Sequence, residues 1–299
     1  MFYIYEFIFL IFIIFSPIVF LLRIISGKED PKRFLEKFCF YSNNRNIDKT
    51  VWLHGASIGE ITSIIPIVEA FEKNSKIKKI LLTSSTTSSA AVIKKYKFKK
   101  TIHVFFPLDT NYLTNKFIRY WKPQIALFIE SEIWPNMFKN LNKNKIPIIL
   151  LNGRITKKSF LRWRKFPRFS KKVFSKISMA MPQNSETIKY LKTLGVKKIK
   201  EAGNLKYFGH SKKIIDENLK RLFKNRLIFC AASTHYNEEL FIGKMHKELK
   251  LKYNNLLTIL IPRHINRSLS IAKDLENINL KIITKSSKKK ISKNTDIYI

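Results

Sequence analysis

Residues 51–73, VWLHGASIGEITSIIPIVEAFEK, decide the fold class. Val51–His54 is a short apolar run that reads as a strand, a Gly-containing turn follows, and Glu60–Lys73 reads as a helix. The same alternation continues. Strands are predicted over Lys79–Thr83, Thr101–Phe105, Ile125–Ile129, Ile146–Leu151, Ile177–Met181 and Lys198–Glu201. Between them lie helices over Thr86–Tyr96, Asn111–Trp121, Asn136–Asn142, a long basic Lys157–Lys176, and Ser185–Leu194. Strand–helix alternation of this kind means βαβ units and a mostly parallel sheet with helices on both faces. Residues 204–213 read as a connection, after which the pattern restarts. Strands are expected at Leu227–Ala231, Leu256–Ile261 and Lys281–Thr284, with helices Asn237–Lys250 and Ser268–Leu275. Residues 286–294 read as a basic polar loop, and Asp296–Ile299 as the start of another strand. The organisation expected is α/β with an N-terminal helix over 1–25, a first lobe over 26–205 and a partial second lobe over 206–299. The second lobe falls short of the roughly 100–150 residues common for a domain.

Phe2–Leu22 is almost wholly apolar, interrupted by Glu6, Ser16, Pro17 and tyrosines. A membrane span needs about 20 such residues. Arg23, Lys28, Lys32, Arg33 and Lys37 follow, and no small-residue cleavage site does. A retained anchor is therefore favoured over a cleaved signal. The basic flank assigns the rest of the chain to the cytoplasmic face of the inner membrane. Glu6 and Pro17 leave open a helix that lies in the interface rather than crossing it.

The 299 residues carry 57 Lys and Arg against 21 Asp and Glu, a formal charge of +36. Such a balance attracts polyanions, including acidic membranes. The basic residues are spread along the whole chain, and Lys, Ile, Asn and Phe (24) abound while Gly (8) is scarce. That pattern fits compositional drift better than a dedicated nucleic-acid surface, and no nucleic-acid partner is expected. The densest basic run is Lys157, Lys158, Arg162, Arg164, Lys165, Arg168, Lys171 and Lys172, interleaved with Phe160, Trp163, Phe166 and Phe169. It reads either as a surface for lipid phosphates or as a solvated helix with its aromatic residues inward. Two cysteines, Cys39 and Cys230, match no metal-ligand spacing, and no metal or cofactor is expected.

Open α/β sheets bind ligands beyond the carboxyl ends of their strands. VWLHGASIGE (51–60), FPLDT (106–110), ESEIWPN (130–136), LNGR (151–154) and PQN (182–184) all fall at such ends. Together with GNLK (203–206), ASTHYNEE (232–239) and PRHINR (262–267), these segments resemble, in order, the signatures of the 3-deoxy-D-manno-octulosonic acid (Kdo) transferase family. The resemblance covers almost the whole chain. It implies a GT-B fold of two Rossmann-like lobes and transfer of Kdo from CMP-Kdo to the lipid A precursor. It also implies a chain that stops before the segments completing the nucleotide pocket, with little activity of its own.

By this resemblance Glu60 is the general base; the plainer reading is an acid favoured at a helix N-terminus. Gly59 and Gly55 would admit close backbone approach, with Ser57 and Arg154 as further binding groups. Glu130 is a catalytic or acceptor-positioning group, Glu132 an orienter of loops, and His54 is unassigned. Lys206 would stabilise charge on the departing CMP. Ser233, Thr234 and His235 would bind an anion at a helix start or supply an ordinary N-cap. Pro262, Arg263 and His264 would line the CMP site. The competing readings are a non-catalytic basic membrane-surface or nucleic-acid-binding protein, or another GT-B enzyme such as a lipid A disaccharide synthase.

Overall fold

The computed structural model describes residues 2–41, 50–205, 223–224, 226–287 and 291–299. They divide into two compact units, Met1–His210 and Ser211–Ile299.

In the first unit β1 (Thr50–His54), β2 (Lys79–Ser84), β3 (Thr101–Phe105), β4 (Pro123–Ile129), β5 (Ile148–Gly153) and β6 (Met179–Pro182) form one sheet. Its order is β3-β2-β1-β4-β5-β6 and every pairing is parallel. Successive side chains of a strand point to opposite faces. Trp52 accordingly joins Phe117, Phe128 and Phe138 in one core, while Leu53 joins Ile61, Ile64 and Leu82 in the other. Burial on both faces explains why the strands read as continuous apolar runs. The helices that cover them are α2 (Ile58–Lys73), α3 (Thr87–Lys94), α4 (Asn111–Trp121), α5 (Pro135–Lys143), α6 (Lys157–Arg164), α7 (Pro167–Phe174) and α8 (Ser185–Leu194). Thr86, Thr110, Thr156 and Asn184 start four of them by accepting the backbone N–H three residues on.

The long helix expected over 157–176 is two helices. Pro167 stands at the first position of α7, and Phe166 before it adopts φ −129°, ψ 67°. A proline bars the preceding residue from helical geometry and removes an N–H from the ladder. Phe160 and Phe169 enter the core, whereas all eight basic residues of this run are exposed. The strand expected over 198–201 reduces to a single bridge between Ala180 and Ile199.

The N-terminal helix α1 (Phe2–Ile25) lies against this unit. Tyr5 donates to Asp109 Oδ2 at 2.8 Å, and Lys139 pairs with Glu6 at 3.4 Å. That pair accounts for the acid that interrupts the apolar run. Near the other end Phe20 is buried against Phe34 and Phe38, at ring separations of 5.9 and 5.4 Å. The opposite side, with Phe7, Ile11, Ile14, Phe15, Ile18 and Leu22, is exposed.

At the edge of the sheet His103 Nδ1 accepts from Arg33 at 3.2 Å, since a guanidinium has only donors, and Nε2–H then donates to Ser84 Oγ at 2.9 Å. This fixes a neutral ring. Burial, aided by the Arg33 charge, pushes the His103 pKa down to about 3. The unfolded chain takes up a proton below pH 6.5 that the folded chain refuses. Stability from this site is therefore full above pH 6.5 and is lost as pH falls from there toward 3. At pH 5 the loss should reach about 2 kcal/mol. His103→Asn should abolish that share, so urea titrations at pH 7 and pH 5 should show a smaller acid loss in the variant than in the parent. Asp109, pushed up to about 6 by its burial, acts in the opposite sense but equally in both proteins.

The second unit contains β7 (Leu227–Thr234), α9 (Glu238–Lys252), β8 (Leu256–Pro262), a 3-10 turn Ile265–Arg267, α10 (Ser268–Glu276), β9 (Ile282–Ile283) and β10 (Ile297–Tyr298). Its sheet is also parallel, in the order β7-β8-β10-β9. Leu260, Ile271, Leu275 and Ile297 centre its core.

Candidate functional site

The strand order of the first sheet reverses between β1 and β4, and such a switch point leaves a crevice at the strand carboxyl ends. HGASIGE follows β1 and ESEIWPN follows β4, so the two most distinctive polar segments flank that point.

Glu60 sits in the first turn of α2 and is half-buried. Its Oε2 accepts from Ala56 N–H at 2.6 Å and its Oε1 from the Ser57 hydroxyl at 3.1 Å. Ser57 Oγ in turn accepts from Glu60 N–H, completing a capping box. The plain helix-start reading of Glu60 is thus correct as far as it goes. Two features exceed it: burial and the nearby Glu132 carboxylate together raise the Glu60 pKa above the usual carboxylate range, against the Ala56 and Ser57 hydrogen bonds. Gly55 is small for Glu60's sake, since a Cβ there would lie 3.1 Å from Glu60 Cβ. A Cβ on Gly59 would meet only open space, the nearest atom being Ser57 Oγ at 4.0 Å, so no contact within the unit requires glycine there.

His54, which the sequence left without a role, is fully buried between β2 and the β4 loop. Its Nδ1 lies 2.9 Å from Thr83 Oγ1 and its Nε2 3.1 Å from Glu132 Oε2. Trp52 Nε1–H donates to the same threonine hydroxyl, and Trp134 Nε1–H to the same carboxylate oxygen, both at 2.9 Å. These bonds hold the Glu132 pKa below its ordinary value despite burial. Glu132 is thus a fixed anion, and Trp134 is more than a packing residue.

Glu130, the residue after β4, lies in the left-handed region at φ 54°, and Asn152 near the end of β5 does the same at 50°. A residue with a Cβ incurs roughly 1–2 kcal/mol there, and such outliers gather at functional sites. The Glu130 carbonyl accepts from Arg154 N–H at 3.2 Å, and the Ser131 hydroxyl donates to the Arg154 carbonyl, which ties the ESE and NGR segments together. The Arg154 side chain is exposed. Glu130→Gly should prove more stable than Glu130→Ala by about 1 kcal/mol in urea unfolding, the reverse of the usual order, because only glycine adopts this φ freely. Lys206 lies outside the described residues; its neighbour Leu205 donates from N–H to Asn152 Oδ1 at 3.1 Å.

In the second unit the strand-end residues form their own group. Ser233 takes φ 64° at the irregularity in the β7–β8 register, and Arg263 N–H donates to the Thr234 carbonyl at 3.0 Å. His235, Arg263 and His264 are exposed, and Pro262 is half-buried. Neither Ser233 nor Thr234 is the N-cap: α9 starts later, after Asn237 at φ 71°. The His235 N–H is already engaged by Glu238 at 2.7 Å. The sequence reading passed over Glu239, which is buried and accepts from Thr234 Oγ1 and from both terminal nitrogens of Arg267, each at 3.1 Å. This bidentate pair joins ASTHYNEE to PRHINR. The signal was present as the last residue of each segment.

FPLDT serves the scaffold. Asp109 is buried and accepts from the Asn136 and Met137 N–H groups at 3.0 and 2.8 Å, capping α5. Among the described residues no group of three or more His, Cys, Asp or Glu is placed to hold a metal ion.

Comparison with known proteins agrees with this architecture. Residues 32–208 match the family described as "3-Deoxy-D-manno-octulosonic-acid transferase (kdotransferase)". A Rickettsia bellii 3-deoxy-D-manno-octulosonic acid transferase is 31% identical over 97% of this chain and 70% of its own length. The Haemophilus influenzae enzyme of the same name is 30% identical over 90% of this chain and 64% of its own. For the Rickettsia prowazekii relative the chain spans 54%, about half. Among solved structures, a Neisseria meningitidis UDP-GlcNAc 2-epimerase bound to UDP-GlcNAc superposes with a TM-score of 0.56, at 13% identity, over 84% of this chain and 71% of that one. That likeness speaks for the fold, GT-B type with Rossmann-like parallel lobes. The matches to the family and to its individual members show that the chain belongs to the 3-deoxy-D-manno-octulosonic acid transferase family.

Proposed function

We propose that the chain acts in Kdo transfer from CMP-Kdo to the lipid A precursor lipid IVA, by a single inverting displacement with Glu60 as general base. The observation that carries this reading is Glu60 itself. It is a half-buried carboxylate at the switch point whose proton affinity burial and the Glu132 carboxylate raise above the ordinary value, the direction that favours a general base. In the step, an acceptor hydroxyl attacks the anomeric carbon of Kdo, Glu60 takes the hydroxyl proton, and CMP departs with the electron pair of the broken C–O bond. Glu130, held in its unusual conformation, positions the acceptor, with Ser57, Gly59 and Arg154 beside it. Lys206 and Arg263 answer the negative charge of the leaving CMP, with Ser233, Thr234, His235, Pro262 and His264 lining the nucleotide end. No cofactor enters the scheme.

The docked α1 supports attachment to the cytoplasmic face of an anionic inner membrane through its exposed apolar side. Its contacts with the lobe at Tyr5, Glu6 and Phe20 favour a helix lying in the interface over one that crosses the bilayer. The exposed basic side chains of α6 and α7 suit lipid phosphates. Expression of this chain, completed with the C-terminal segments that its relatives carry, in a Kdo-transferase-deficient strain should restore Kdo to the extracted lipid. Lipid that still lacks Kdo, with the protein present in the membrane fraction, would overturn the proposal.

A further inference from the structure

We infer that His54 and Glu132 are positioning residues that set the protonation of Glu60, a hydrogen-bonded pair across the ends of β1 and β4 that adjoins Gly55, the residue on which Glu60 packs. The inference rests on the reading of Glu60 as the base.

The geometry carries it. β1 and β4 are adjacent, so His54, at the end of one, meets Glu132, just beyond the end of the other, although 78 residues separate them. The ring is clamped on both sides, by Thr83 at 2.9 Å and Glu132 at 3.1 Å, and it stacks on Phe106 with centroids 4.0 Å apart. Glu132 is clamped as well, since Trp134 donates to the oxygen that His54 contacts. Glu60 packs over Gly55, the residue that follows His54, and accepts from the amide of Ala56. Burial raises the Glu60 proton affinity most, Glu132 raises it further, and His54, the hydrogen-bond partner of Glu132, opposes that rise. Its other partners are the Ala56 amide and Ser57, both of which favour ionisation.

A helix-capping glutamate alone needs none of this. The Ala56 and Ser57 bonds by themselves would give an acidic carboxyl, a poor proton acceptor near neutral pH. Glu60's own burial, and after it the neighbouring Glu132 carboxylate, counteract that tendency, and the hydrogen bond from His54 to Glu132 keeps the second contribution partial. Repulsion between neighbouring carboxylates is a general means of raising one of them. Holding Glu132 rigidly through two side chains, His54 and Trp134, makes the effect reproducible from turnover to turnover.

Two substitutions should move Glu60 in opposite directions. With carboxyl carbons labelled, NMR titration of the purified chain reads the Glu60 midpoint directly. Glu132→Gln removes the opposing charge, and the midpoint should fall. His54→Gln leaves Glu132 uncompensated, and the midpoint should rise. General loosening of the site would shift both the same way. Either result alone decides the matter if the other variant does not fold. A midpoint unmoved by Glu132→Gln, or lowered by His54→Gln, would overturn the inference. Because the readout is the titration of Glu60 and not turnover, it stands apart from the question of whether Glu60 is the base. Where transfer is measured, the acid limb of the pH–rate profile should follow the same two directions.

Discussion

Glu60→Gln, in a chain completed with its relatives' C-terminal segments, should reduce Kdo transfer by about 10²–10⁴-fold, the range a positioned general base contributes, while leaving the protein folded. The substitution is well matched to the question. Glutamine at the third helical position can still close a capping box with Ser57, so the start of α2 is preserved. The side chain keeps its length and can still accept from the Ala56 amide. It loses only the ability to take a proton. Initial rates of CMP release, with thermal unfolding of the same preparations, separate the two effects. Wild-type turnover by the glutamine variant would remove Glu60 from the mechanism.

Trp52→Ala should lower the stability of the first unit by about 3–5 kcal/mol, the usual cost of emptying an aromatic site in a core. Trp52 is fully buried in the middle strand, with Phe117 at 4.8 Å, Phe128 at 5.1 Å and Phe106 at 6.1 Å between ring centroids. These are ring partners from β4, α4 and the loop after β3, so none can collapse into the void without moving its own element. The lost Nε1–H also deprives Thr83 of a donor, which loosens the hydroxyl that holds His54. Trp52→Phe should therefore cost much less stability and yet disturb His54. Urea unfolding of both variants checks this. Near-equal losses for Ala and Phe would show that the indole N–H, and not the volume, carries the effect.

The parallel sheet was legible because each of its strands is a short apolar run closed by a polar segment, and the strand ends therefore announced themselves. Glu60 was legible for the same reason. His54 was not: its partner lies 78 residues away, and only the reversal of strand order at β1 and β4 brings them together. Asp109 was misleading in the other direction. Placed at a strand end within a polar segment, it looked like part of the site, but it caps a helix 27 residues later and fastens Tyr5 across 104 residues. Chain-distant partners of this kind leave no local trace. Pro167 did leave one, and the basic periodicity on either side of it masked the break. In the second unit Glu239 and Arg267 each end a recognisable segment, but a salt bridge between them becomes visible only once β7 and β8 lie side by side.

The way α1 is fastened has a mechanical consequence. Its 24 residues form a rod of about 36 Å, gripped near one end through Tyr5 and Glu6 and near the other through Phe20. A mounting held at both ends behaves as a keel and not as a mooring line. Whatever surface its outer side rests on is kept at a constant height and tilt relative to the β1 and β4 carboxyl ends. A hydroxyl presented from that surface would then arrive at one depth only, so reach, as much as chemistry, would choose which group on a large amphiphile is modified.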